Sequence, residues 1–128
     1  MKTPFSIRRL AIALGAAAVL NVVDVLVATA AGAAMTVNVS TPPTAVGVPM
    51  VLGATLGPTI IAAVATWLIS KPLPAFGRIA PWIGLGIAAL SLPSPFLMAT
   101  DVPTAVALAI MHVVVGTAWF VGSRPVRA

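Results

Sequence analysis

The chain has 128 residues, of which 60% are hydrophobic and 7% are charged, and its mean hydropathy is +1.14. This composition excludes a water-soluble globular protein, because one domain of this length cannot bury so much apolar surface. The net charge of +5 does not indicate nucleic-acid binding, since the cations are scattered between apolar runs and form no basic face. The absence of cysteine excludes a disulfide framework, a thiolate metal site and a thiol nucleophile.

Four apolar stretches, taken in chain order, predict an all-α polytopic membrane protein in which residues 1–128 form a single four-transmembrane-helix bundle. Each stretch has about 19 to 23 residues, enough for a helix to cross a hydrocarbon core about 30 Å thick. Pro93 and Pro95 interrupt the third stretch, so we expect this helix to kink or to stop short at its outer end. The predicted helices cover residues 10–31, 48–70, 79–97 and 103–121.

Lysine and arginine occur near only one set of helix ends. The first and third connections, residues 33–47 and 99–102, contain neither. Because cations next to membrane spans are retained in the cytoplasm, this asymmetry predicts that both termini and the second connection are cytoplasmic (N-in/C-in). The cations concerned are Lys2, Arg8, Arg9, Lys71, Arg78, Arg124 and Arg127.

Tryptophan gives a second indication of the same interface. Trp67, Trp82 and Trp119 lie at the predicted cytoplasmic ends of helices two, three and four. We expect these side chains at headgroup level, where the ring is in an apolar environment and the indole N–H stays hydrated. On the opposite side, alternating apolar and polar residues over 35–40 predict a short extended segment above the mouth of the bundle.

The first helix shares features with a cleavable secretory signal, since basic residues precede it and small residues fill positions 28–34. We expect the helix to be retained, because its apolar run is longer than the roughly 7 to 15 residues of a signal core. It also contains Asn21 and Asp24, which a signal core would not be expected to carry.

Asn21, Asp24 and His112 are the candidate intramembrane polar residues. A carboxylate in hydrocarbon costs at least about 2.5 to 3.5 kcal/mol, so we expect Asp24 to face the bundle interior with Asn21 on the same face. Counted from the outer surface, Asp24 and His112 lie within about one turn of each other. This depth predicts a hydrogen bond or ion pair between them if helices one and four are neighbours. The residues expected on or beside the face of His112 are Thr104, Leu108, Val115 and Trp119.

Two interpretations of these polar residues remain open. In the first, they form a satisfied network that fixes how the helices dock, since interhelical hydrogen bonds stabilise by only about 0.6 to 2 kcal/mol but specify register. In the second, Asp24 and His112 bind a proton or a polar ligand, because ionisable residues inside a membrane are candidates for function.

Small residues at a spacing of four indicate close helix packing in two places. Gly53 and Gly57 in helix two form a G-x-x-x-G sequence, in which the missing side chains let another helix approach closely. We favour packing within the protomer over dimerisation. Gly84 and Ala88 in helix three form a second strip of the same kind.

Pro58 directly follows this glycine strip and has no N–H to donate to the carbonyl of Ala54. We therefore expect a kink near Ala54. The hydroxyl of Thr55 or Thr59 is expected to satisfy the carbonyl that the proline leaves free.

No nucleophile elbow, phosphate loop or zinc-ligand spacing occurs in the sequence. His112 is the only histidine, and no serine or threonine is placed beside it as a nucleophile. We therefore predict no catalytic residue, no metal site and no cofactor, and we expect no enzymatic activity.

Two segments carry a resemblance to a known family. Residues 89–93 read Ala-Leu-Ser-Leu-Pro, and residues 106–114 contain the pair Met111-His112 followed by β-branched residues. In these segments the chain resembles an uncharacterised family of small four-helix membrane proteins from actinobacteria, a domain of unknown function. The resemblance covers the last third of the chain, implies a bacterial plasma-membrane protein, and brings no known activity.

Taken together, these features predict a non-enzymatic accessory or structural subunit of the bacterial plasma (inner) membrane. The expected partners are the lipid bilayer and either another membrane protein or further copies of the chain, and no nucleic acid. The alternative is a small carrier or sensor that binds a proton or a polar ligand through Asp24 and His112.

Overall fold

Within the residues that the computed structural model describes, 4–125, four helical segments are long and apolar enough to cross a membrane. The predicted all-α fold and the number of spans are therefore confirmed. The helices are α1 (Ile7–Ala30), α2 (Val48–Ile69), α3 (Phe76–Ser91), α4 (Pro93–Met98) and α5 (Val102–Ser123), with α3 and α4 forming the third span together.

The third span is interrupted by prolines, as the sequence predicts. Pro93 and Pro95 cannot donate to carbonyls one turn earlier, so the hydrogen-bond ladder of α3 stops before them. The amide of Leu92 instead donates to the carbonyl of Ala89 at 3.2 Å, which tightens the last turn of α3. Pro93 then begins α4, at a helix position where a missing N–H is no loss.

Two helices begin three residues earlier than predicted, at the end of the bundle that carries the chain termini. α1 begins at Ile7 because Ser6 caps it, its hydroxyl accepting a hydrogen bond from the Arg9 amide at 3.2 Å. α3 begins at Phe76 instead of residue 79. Hydropathy marks the apolar part of a helix, and polar first turns extend beyond it.

α1 and α5 are neighbours and approach closely where glycine removes side-chain bulk. A Cβ atom at Gly122 would lie 3.0 Å from the Cβ atom of Ala13 and 2.9 Å from a methyl carbon of Leu10. At the same end, the Arg9 guanidinium donates to the carbonyl of Gly122 at 3.5 Å and also to that of Arg124. These bonds satisfy carbonyls that have no partner within the last turn of α5.

α3 and α5 pack through the small-residue strip that the sequence predicts. A Cβ atom at Gly84 would overlap the indole ring of Trp119, and one at Gly116 would lie 2.5 Å from the Cβ atom of Ala88. The predicted role of Gly84 and Ala88 in helix packing is therefore confirmed.

Trp119 does not lie at the headgroup level in contact with water, contrary to the prediction. Its side chain is 5% exposed, and its Nε1–H donates to the carbonyl of Ala80 at 3.1 Å. Trp82, in contrast, is exposed, and the Lys71 ammonium lies 3.8 Å above the ring of Trp67. Position along a helix gives the depth of a tryptophan but not the direction in which its ring points.

A two-stranded antiparallel sheet covers the end of the bundle opposite the chain termini. β1 (Thr36–Val37) pairs with β2 (Thr44–Ala45), which confirms the extended segment predicted there. The Asn38 amide also donates to the carbonyl of Met98 at 2.7 Å and so joins the sheet to α4. Buried residues continue the core of α1 and α5 into this cap: Val25, Ala33, Met35, Val37, Val46, Val51, Ala107 and Met111.

Asp101 fixes the cap to the start of α5. Its Oδ1 accepts a hydrogen bond from the Thr104 amide and its Oδ2 one from the Ala34 amide, each at 2.9 Å. The pKa of Asp101 lies below its ordinary value of 3.8. The largest cause is a hydrogen bond from the Thr104 side chain, and the hydrogen bonds from these two amides contribute less. The carboxylate of this outer connection therefore serves as a structural cap.

The cations of the described chain lie at the end that carries the termini, because successive spans run in opposite directions. Contacts of Arg9 with the end of α5, and of Pro4 with Gly77 at the start of α3, place these helix ends together. Lys2 and Arg127 lie outside the described residues. The side of the membrane that this end faces stays a prediction. The cations placed here are Arg8, Arg9, Lys71, Arg78 and Arg124.

We expect Gly84→Ala to destabilise the bundle, because the added methyl group would overlap the Trp119 indole. Overpacking of this kind costs about 1 to 3 kcal/mol. Gly86→Ala is the matched control, since a Cβ atom there would meet nothing within 4 Å, and improved helix propensity should add roughly 0.5 to 1 kcal/mol of stability. Thermal unfolding in detergent measures both; equal melting temperatures would contradict the close approach of α3 and α5.

Candidate functional site

A cleft of about 580 Å³ separates α2 from α3 and α5. Its wall on α2 runs from Met50 to Thr66, and its wall on α3 runs from Phe76 to Ser91, so the cleft extends over most of the membrane span. Met50 and Ile87 line the cleft and are themselves exposed. The cleft therefore opens sideways, toward the lipid.

Small side chains leave this space unfilled. α2 presents Ala54, Ala62 and Ala65 to the cleft, and α3 presents Gly84 and Ala88. Gly84 and Ala88 are in contact with α5. α3 therefore packs closely against α5 and is separated from α2 by the cleft. The packing that joins α3 to α5 thus also produces the cleft.

Asn21 reaches the cleft from α1 and is 1% exposed. Its Nδ2 donates to the Thr55 hydroxyl at 2.9 Å, which joins α1 to α2 in the middle of the bundle. Its Oδ1 is buried and has no hydrogen-bond partner among residues 4–125. A buried polar atom without a partner is uncommon in native proteins, and this oxygen has almost no surface of its own exposed to the cleft.

His112 lines the cleft from α5 at nearly the same depth. Counted from the capped end, Asn21 lies about 14 Å below Ala30 and His112 about 15 Å below Val102. The Nδ1 atom of His112 is 2.7 Å from the carbonyl oxygen of Leu108. A carbonyl can only accept, so Nδ1 carries a proton and donates to Leu108.

Asp24 and His112 do not form the predicted hydrogen bond or ion pair. Asp24 does not line the cleft, and its Oδ2 is buried without a hydrogen-bond partner among residues 4–125. Three residues of an α-helix turn through about 300°, so Asn21 and Asp24 point about 60° apart and only Asn21 reaches the cleft. The predicted pairing of Asp24 with His112 is therefore absent from the described structure.

The predicted face of His112 is confirmed in part. Leu108, Val115 and Trp119 line the cleft together with His112. Thr104 is fully buried at the capped end of the same helix, where its hydroxyl accepts a hydrogen bond from the Met35 amide at 2.9 Å. Its role is to hold the cap, and it contributes no surface to the cleft.

Gly53 and Gly57 do not pack within the protomer, contrary to our preference. A Cβ atom at either glycine would meet nothing within 4 Å. Neither residue lines the cleft, so the strip lies on another face of α2. The spacing of the glycines predicts a flat helix surface but does not tell which way it faces.

Pro58 lies on the cleft side of α2, which continues as a helix through it. The hydroxyl of Thr59 donates to the carbonyls of Thr55 at 2.7 Å and Leu56 at 3.0 Å. It does not donate to the carbonyl of Ala54, which the proline leaves free. The prediction that a threonine hydroxyl would bond this carbonyl is therefore wrong.

Thr55 is the residue of this site that sequence reasoning did not identify as a binding partner. It is buried, and Thr59 and Thr66 are buried on the same side of α2. The spacing of Thr55, Thr59 and Thr66, together with Ala62, is that of one helix face. This pattern indicates a weakly polar stripe, although threonine is common in membrane helices because it can bond to its own backbone.

We expect Asn21→Ala and Thr55→Val to show a coupling energy of about 0.6 to 1.7 kcal/mol in a double-mutant cycle, because each change removes the same hydrogen bond. Asp24→Asn and His112→Ala form the control pair and should add within about 0.3 to 0.5 kcal/mol, since no bond joins them. Unfolding free energies in detergent provide the measurement. Coupling in the control pair with none in the first would contradict the site geometry.

Comparison with curated proteins and with solved structures gave no match. The model of a family described as a family of unknown function (DUF6069) matches residues 1–127. The match extends the resemblance seen at residues 89–93 and 106–114 over nearly the whole chain, while the actinobacterial source stays a prediction. In the described residues, four helices are long and apolar enough to cross a membrane. The chain therefore belongs to the family of unknown function DUF6069.

Proposed function

We propose that the protein is a non-enzymatic accessory subunit of a bacterial plasma membrane and that α2 binds a transmembrane helix of another membrane protein. The open strip of Gly53 and Gly57 is the observation that carries this proposal. In a bilayer, lipid tails are as apolar as leucine, so helices associate where small residues let their backbones approach closely.

Two other glycines of this bundle show how a helix surface without side chains lets a neighbouring helix pack closely. Gly84 is filled by Trp119, and Gly122 by residues of α1, while Gly53 and Gly57 have no neighbour. Gly86 is open as well, but Trp82 and Leu90, one turn away on either side, would keep another backbone at a distance. The α2 strip therefore has the surface that a partner helix needs.

The surroundings of His112 support a role without catalysis. Its imidazole is bonded to the Leu108 carbonyl of its own helix. No hydroxyl or carboxylate of the described residues is hydrogen-bonded to the ring, so the arrangement lacks the nucleophile and base pair of a hydrolase.

We expect Gly53→Leu and Gly57→Leu to reduce recovery of the partner by about tenfold, because leucine keeps the two backbones apart. The full-length tagged chain is purified from its native membrane in mild detergent, and mass spectrometry measures what accompanies it. Gly86→Leu is the control and should leave recovery unchanged.

Equal recovery of the partner by all three variants would overturn the proposed interface. A second copy of the chain carrying a different tag distinguishes self-association from a partner of another sequence. If this second copy is the only chain lost with Gly53→Leu, the strip forms a homo-oligomer and the accessory role is wrong.

We also propose that the end carrying the termini is cytoplasmic, which the positive charges at that end support. The chain has no cysteine, so single cysteines can report the orientation. In intact cells, a membrane-impermeant maleimide should label Val39→Cys in the cap and should not label Leu73→Cys until the cells are lysed. Both native side chains are exposed. The reverse pattern would invert the proposed orientation.

A further inference from the structure

We propose that α1 binds a transmembrane helix of a protein of different sequence, and that a lysine or arginine of this helix forms an ion pair with Asp24 inside the membrane. The surface concerned lies on α1 and is separate from the glycine strip of α2. The proposed α2 interface can therefore fail while this one stands, and the reverse.

The carboxyl group of Asp24 has no partner within the chain. Neither of its oxygens accepts a hydrogen bond from residues 4–125. Oδ2 is buried, but the residue as a whole is only partly buried and Oδ1 reaches the surface. A carboxylate inside a membrane is stable only when it is paired, protonated or in contact with water. Asp24 thus has an accessible oxygen to which a group from outside the chain can bind.

Asp24 lies where the buried side of α1 meets the side exposed to lipid. Val25, the next residue, belongs to the core, whereas Leu20 and Val27, one turn before and after Asp24, are 55% and 60% exposed. Along the axis, Asp24 lies about 9 Å before the end of α1 at Ala30. The group that pairs with this carboxyl therefore comes from within the bilayer.

The sequence provides no lysine or arginine at this depth. Neither residue type occurs in residues 10–70 or 79–123, so a second copy of the chain cannot place one beside Asp24 in either orientation. His112 is the remaining basic residue of the spans, and it lines the cleft and is bonded to the Leu108 carbonyl of its own helix. The missing cation points to a helix of different sequence, in agreement with an accessory role.

A helix fits this surface better than a small molecule does. Small ligands are held in concave sites, and Asp24 does not line the cleft of the bundle. Lysine and arginine have long apolar stems that lie along neighbouring apolar side chains. A basic side chain of a partner helix can therefore reach past Leu20 or Val27 to the carboxyl, and no glycine is needed at this face.

The test uses the purified full-length chain in lipid nanodiscs and two synthetic transmembrane peptides of about 22 leucine and alanine residues. One peptide has a single lysine about six residues from one end, and the other has methionine there. The chain has no cysteine, so Val39→Cys in the exposed cap carries an acceptor dye. A donor dye at the lysine-proximal end of each peptide reports association by energy transfer. We expect the lysine peptide to bind about tenfold more tightly than the methionine peptide.

Asp24→Asn should weaken binding of the lysine peptide to the level of the methionine peptide and leave the methionine peptide unchanged. Asp24→Glu keeps the charge and should keep the preference for lysine. Asp24→Lys should prefer a third peptide that has aspartate at the same position. Thr29→Val is the matched control on α1, because its hydroxyl bonds only to the Val25 carbonyl, and it should bind like the parent chain.

Equal binding of the lysine and methionine peptides by the parent chain would overturn the proposal, since the Asp24 carboxyl would then need no cation. Absence of binding by either peptide would overturn it too. Gly53→Leu should leave binding of the lysine peptide unchanged. If it abolished this binding, the peptide would lie on the α2 strip and the assignment to α1 would be wrong.

Discussion

Close backbone approach to α5 governs the arrangement of this bundle. Gly122 of α5 meets Leu10 and Ala13 of α1, and Gly116 of α5 meets Ala88 of α3. The hydrophobic effect does not drive helices together inside lipid, so van der Waals contact at such glycines supplies much of the attraction. α2 takes no part in these glycine contacts and is joined to α1 by the Asn21–Thr55 hydrogen bond and by packing of ordinary apolar side chains. The cleft and the open strip of α2 both follow from this difference.

The cap at the end opposite the chain termini provides hydrogen-bond partners for backbone amides that lie close to the hydrocarbon. The connection between α1 and α2 has backbone amides that need partners close to the hydrocarbon, and unpaired amides there cost several kcal/mol each. Asp101 and Thr104 bind the amides of Ala34 and Met35, and strand pairing satisfies others. Met35 adopts a φ of 47°, unusual for a residue with a side chain, and these bonds hold it there.

The sequence predicts those features that depend on depth in the membrane and fails at those that depend on rotation about a helix axis. Span lengths follow from bilayer thickness, and the break of the third span follows from Pro93 and Pro95. Asp24 and His112 have similar depths, as predicted, yet point to different surroundings. Trp119, at the expected end of its helix, turns inward because Gly84 leaves room for its indole. Of the candidate site, Asn21 and His112 were predicted, whereas Thr55 emerged only from the helix arrangement.

The central position of α5 has a consequence for how the protein is made. α5 leaves the ribosome after the other three spans, so the glycine contacts that fix α1 and α3 cannot form until all four spans have been synthesised. Until α5 is present, the first three spans lie in the bilayer without it, and polar groups such as Asp24 are not yet covered as they are in the complete bundle. Arg9 then closes the structure by binding the carbonyls at the end of α5. Assembly of this bundle therefore waits for its fourth span, when α1 and α5 meet.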